Sequence, residues 1–139
     1  MVTSANEDLL SALTEATADL LFPSETDSPV VPYTYAPDGQ RLPTVAALRR
    51  RLGQPPPTLV EKTSLDDFFA AVTAPPPELA GDEESTRTAA RFQELVTLLK
   101  TRLRRPRVYR VGTIRIDVYV LGISPAGGIF GVQTTVVET

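Results

Sequence analysis

The groups in this chain best suited to chemistry are its carboxylates. Its 139 residues include 17 Asp and Glu but no His and no Cys, so the usual proton shuttle and the usual soft nucleophile are both missing. A Ser-His-Asp or Cys-His arrangement is therefore impossible, and no thiolate metal site or disulfide framework can form. The adjacent acids Asp66-Asp67 and Glu83-Glu84 offer the oxygen donors that Mg²⁺ prefers, and paired carboxylates can also drive acid–base hydrolysis. Neighbouring acids in a first helical turn more commonly balance the helix dipole. No glycine-rich phosphate loop occurs, and Gly127-Gly128 reads as a hairpin turn. The reading these residues favour is a chain that presents anions to a partner, with a small carboxylate hydrolase as a lesser alternative.

Two placements sharpen that reading. Residues 130–139 read as a β-strand running into the C-terminal carboxylate, which would make Thr139, after Glu138, a fixed anion with a hydroxyl beside it. Termini are loose unless an element ties them down. Glu25 and Asp27 fall in the polar stretch 24–29, where an acid is ordinarily just solvated; the residues alone leave both possibilities open. The net charge of −3 hides an asymmetry: residues 1–40 hold seven acids and no Lys or Arg, while residues 100–115 hold seven bases and no acid. One end could complement a basic partner and the other an anionic one, or both could keep exposed faces soluble.

The elements that would position these groups follow from periodicity. Ser4-x-x-Glu7 has the form of a capping box, and Leu9, Leu13, Ala16 and Leu20 recur at helical spacing behind it. Pro23 should end that helix at Phe22. A strand is expected over 30–35, with Pro32 marking an edge or a bulge. Thr44 should cap a short helix over 45–52 with Gly53 as its stop, a strand follows over 59–63, and Ser64 should cap a helix over 65–72. The proline runs 55–57 and 75–77 read as loop stiffeners. The longest helix is expected from Asp82 to Arg104, its acids at the start and its bases at the end, in accord with the macrodipole. Beyond Pro106 the period becomes 2, with Ile114, Ile116, Val118 and Val120 in one apolar row. The expected fold is one α+β domain over 1–139, an α-β-α sandwich with a mainly antiparallel sheet ending in a C-terminal β-meander. The length suits a single core. Nothing reads as a signal peptide or membrane span, so a cytoplasmic location is expected.

The assembled segments resemble the nuclease A inhibitor family, the inhibitors of sugar-non-specific nucleases. The resemblance covers nearly the whole chain. It is carried by Leu20-Leu21-Phe22-Pro23-Ser24-Glu25-Thr26-Asp27, Asp66-Asp67-Phe68-Phe69, Asp82-Glu83-Glu84, Phe92-Gln93-Glu94-Leu95, Pro106 through Gly112, Asp117-Val118-Tyr119-Val120, Ser124-Pro125-Ala126-Gly127 and Val136-Val137-Glu138-Thr139.

The resemblance implies a monomeric, non-catalytic protein that binds a Mg²⁺-dependent ββα-metal nuclease one-to-one and occludes its active site. It implies that Glu25 approaches the nuclease's catalytic His and that Thr139 approaches the nuclease's Mg²⁺ through its water. No cofactor of the chain's own, no membrane and no direct nucleic acid contact are expected. Asp27, Glu138, Glu78 and Leu79 complete the expected nuclease-binding set. Where the family pattern carries Asp-Trp before the long helix, this chain has Glu78-Leu79, which keeps the charge and loses an aromatic anchor. Two other readings compete: an interaction domain of the same fold with a different partner, and a weak nucleic-acid-binding module using the bases from Arg102 to Arg115 with Tyr109 and Tyr119.

Overall fold

The computed structural model describes residues 4–138. Helix α1 covers Ser4–Thr17 and buries Leu9 and Leu13. It stops short of Phe22, where the proline was expected to end it. The reason lies upstream: Asp19 takes a left-handed φ of 56°, a conformation Asp tolerates better than most residues, and the Leu20 N–H donates to the Thr17 carbonyl at 3.0 Å. Leu20 is buried as the stripe required, but outside the helix, and Leu21 is exposed. Ser4 is itself helical, so it lies inside α1 rather than capping it.

Leu21–Phe22 (β1) and Ser28–Pro29 (β2) then form a small antiparallel pair. Strand β3 (Val31–Ala36) holds the edge position that Pro32 suggested, and its register shifts between Thr34 and Ala36, so it also carries a bulge. Helix α2 (Val45–Arg51) is capped by Thr44, whose hydroxyl accepts the Ala47 N–H at 3.1 Å, and Gly53 follows with φ of +68°. Strand β4 is Val60–Thr63. Helix α3 is shorter than expected, Leu65–Phe69, with the Ser64 hydroxyl accepting the Asp67 N–H.

A short 3₁₀ turn, Pro77–Leu79, precedes α4 (Glu83–Arg102), which is capped by Asp82. The helix ends before Arg104 because β5 (Arg104–Val111) begins there, ahead of Pro106 rather than after it. Arg105, at φ 51°, and the register shift between Arg104 and Arg107 absorb the proline as a bulge. Strands β6 (Arg115–Ile123) and β7 (Ile129–Val137) complete the meander.

The main sheet is antiparallel throughout, in the order β3-β7-β6-β5-β4. Alternation along β6 divides its side chains between two cores. Ile116, Val118 and Val120 pack with the helical layer of α1, α3 and α4, while Leu121 faces the layer of α2 with Leu48, Tyr109 and Ile129. The fold is thus α+β with helices on both faces, as the sandwich expectation required. Ile114 departs from the expected apolar row: it lies in the β5–β6 turn and is 61% exposed. Gly112 opens that turn at φ +112°, where a Cβ would stand 2.5 Å from the Arg115 carbonyl oxygen. Among the described residues no helix is long and apolar enough to cross a membrane.

Candidate functional site

Phe22 sets the position of the acidic loop. It is buried, stacks on Phe68 at 4.8 Å between centroids, and meets Phe92 edge-on at 5.8 Å. Offset and edge-on aromatic contacts of this kind add to the burial of each ring. The loop 23–27 between β1 and β2 therefore leaves from a fixed point above α3 and α4. Within it the Ser24 hydroxyl donates to the Thr26 carbonyl at 2.7 Å. The same hydroxyl accepts the N–H of Val137 at 3.0 Å, and the Glu25 N–H donates to the Val137 carbonyl at 3.4 Å. An acidic loop from the first quarter of the chain is thereby stitched to the end of its last strand.

Glu138 adjoins this junction. Its N–H donates to the Ile114 carbonyl at 2.8 Å, and its carboxylate pairs with the Arg110 guanidinium at 3.0 Å. Thr139, expected to carry the key anion, lies outside the described residues. Asp27 is exposed in the same loop as Glu25.

Glu78 and Leu79 occupy the 3₁₀ turn before α4, both exposed. Leu79 overhangs a groove of about 430 Å³ whose apolar lining includes Pro23, Val72, Pro76 and Phe92. Asp82 stands on its rim. The Ser85 backbone N–H, with help from the Ser85 side chain, holds the Asp82 carboxyl below its ordinary value. A smaller hollow of about 310 Å³ lies between Ser24, Asp67, Arg110 and Glu138. Pro23 and Ala71 line both cavities. Pro23 is thus shared by the groove that Leu79 lines and the hollow that Glu138 lines, and Glu25 lies two residues further along its loop.

Three residues around this junction carry no sequence signal of their place there. Ser24 looked like one polar loop residue among several. Arg110 was grouped with its basic neighbours, although its register opposite Val118 on β6 turns it toward Glu138. Ile114 falls in the apolar alternation of the strand, and only its nearness to Gly112 signals that it sits in a turn.

The same geometry weakens the nucleic-acid alternative. Tyr109 is 1% exposed and its hydroxyl donates to the Pro43 carbonyl at 2.9 Å, so its ring is closed to stacking on a base. Tyr119 packs against Tyr33 at 5.1 Å, and Arg110 is paired with Glu138. Of the carboxylate pairs, Asp66 is bonded to Lys100 at 2.5 Å, and Glu83 and Glu84 lie in the first turn of α4. Among the described residues no three acidic side chains converge as a metal-holding group.

A protein-family model described as nuclease A inhibitor-like protein matches residues 7–139 of the chain. No curated protein matches it.

Proposed function

The chain belongs to the nuclease A inhibitor-like protein family, and from that premise we propose that it inhibits a Mg²⁺-dependent, sugar-non-specific nuclease of the ββα-metal class by occupying its active site. The observation that carries the proposal is the stitching of the Glu25 loop to the end of β7. It sets an exposed carboxylate beside the strand that leads to Thr139.

A nuclease cleft is positive because it must hold phosphates. In this reading Glu25 accepts a charge-assisted hydrogen bond from the catalytic imidazolium, stronger than its neutral counterpart. Thr139 reaches the nuclease's Mg²⁺ through a bound water. Neither group offers a bond that the enzyme can cut. Asp27 and Glu138 extend the anionic surface, and Glu78 and Leu79 contact the cleft margin. Ile114 adds an apolar contact next to Glu138. The chain itself performs no catalysis and needs no cofactor. The complex is one-to-one, with a total buried surface of roughly 1,600 Å², typical of stable protein pairs.

The second reading, a different partner for the same fold, is favoured by Leu79 alone, since leucine is a smaller anchor than the aromatic residues that dominate interfaces. Sedimentation of the chain with a catalytically competent ββα-metal nuclease tests the choice. A one-to-one complex without DNA cleavage supports inhibition, whereas two independently sedimenting proteins with cleavage intact contradict it.

A further inference from the structure

Ser24 is half-buried beneath an exposed acid. Its hydroxyl bonds in two directions: it accepts the Val137 N–H from the end of β7 and donates to Thr26 within its own loop. A hydroxyl can do both because it carries one donor and two acceptor positions. On this edge of β7 the pairing with β3 ends at Val31 and Gln133. Val137 lies beyond that point, where its N–H and carbonyl would face no strand. Ser24 and Glu25 take the missing strand's place, the hydroxyl standing in for a backbone carbonyl and the Glu25 N–H completing the exchange with the Val137 carbonyl.

We infer that Ser24 is the positioning residue of the inhibitory site, a clip that fixes the backbone of Glu25 against the strand leading to the C-terminus. The inference rests on the inhibitor reading above. A carboxylate that must meet one imidazole while a second group meets a metal is effective only if the spacing between the two is set before binding. Ordering a loop on association costs affinity, and a preformed geometry avoids that cost. Without the hydroxyl, the Val137 N–H and the Thr26 carbonyl turn to water, and the loop loses its shorter tie to β7 while the 3.4 Å bond from the Glu25 N–H remains. Glu25 keeps its charge and loses its address.

The test combines the free chain with a double-mutant cycle. In the free protein, Ser24→Ala should speed amide exchange at Glu25 and Val137 while leaving the melting temperature nearly unchanged; unaltered exchange at both amides overturns the clip. Against the nuclease, Ser24→Ala should raise the inhibition constant about tenfold when Glu25 is present, the equivalent of one hydrogen bond. The same change should have less than about a twofold effect in a Glu25→Gln background, because the cycle isolates the coupling between the two residues. Ser24→Thr, which keeps the hydroxyl, should restore inhibition. Equal factors in both backgrounds overturn the positioning role. A wild-type chain that does not inhibit contradicts the inhibitor reading instead, and the exchange measurement then decides the clip by itself.

Discussion

Glu25, the proposed contact to the nuclease's histidine, is plain in sequence and gains meaning only from its backbone. Nothing distinguishes it from other loop acids until its N–H is found on Val137. Glu25→Gln keeps the size and backbone and removes the charge. Replacing a charge-assisted hydrogen bond by a neutral one should raise the inhibition constant about tenfold or more, read from nuclease titrations. Tyr119 gives a second residue-level expectation. Burial, then the nearby Asp117 carboxylate, then Tyr33 push its phenol up to about 12 from an ordinary 10.0, and burial likewise raises Tyr109. A phenol harder to ionise when folded holds its proton more tightly in the native state. Its contribution is therefore complete below pH 10 and is lost as pH rises toward about 12. Denaturant midpoints should fall across that window, and Tyr119→Phe should flatten the fall.

At the level of elements, two buried polar groups have opposite fates. Asn6 of α1 is 2% exposed; its amide donates to the Gly127 carbonyl at 2.8 Å and its carbonyl accepts the Ser124 hydroxyl. It thereby pins the first helix to the last hairpin. Asn6→Ala strands both partners and should destabilise the fold by about 2 kcal/mol, measured by urea unfolding. Thr134 is also buried, and its hydroxyl has no hydrogen-bond partner among the described residues. Thr134→Val keeps the shape and removes the unmet group, so it should stabilise the protein by about 1 kcal/mol. Element types were readable from periodicity, because the apolar rows of α4 and β6 are long and regular. Their ends were less so. α1 ends at Thr17, before a left-handed Asp19 and with the Ala16 and Ala18 carbonyls taken by Arg91 of α4, and β5 starts before Pro106 by pairing Arg104 with Ile123 of β6; no local pattern encodes these distant partners. Asn6 looked like an ordinary polar residue for the same reason, its partners being 118 and 121 positions away.

For the whole molecule, the α+β sandwich was legible because the strand period and the helix stripes agree on a two-sided sheet. The site was legible only in part. Glu25, Glu138 and Leu79 could be named from the resemblance, but what links their surroundings is Pro23, which lines both cavities, and Arg110 and Ser24 emerge from register and loop geometry. In the proposed inhibition, Glu25 and Thr139 act together on the nuclease's active site. The most direct test is to titrate the intact chain, and one lacking Thr139, into a Mg²⁺-dependent ββα-metal nuclease while following DNA cleavage. Inhibition should be complete at one equivalent of the intact chain and clearly weakened by the deletion, with the fold preserved. Full cleavage at a large excess of the intact chain would contradict it.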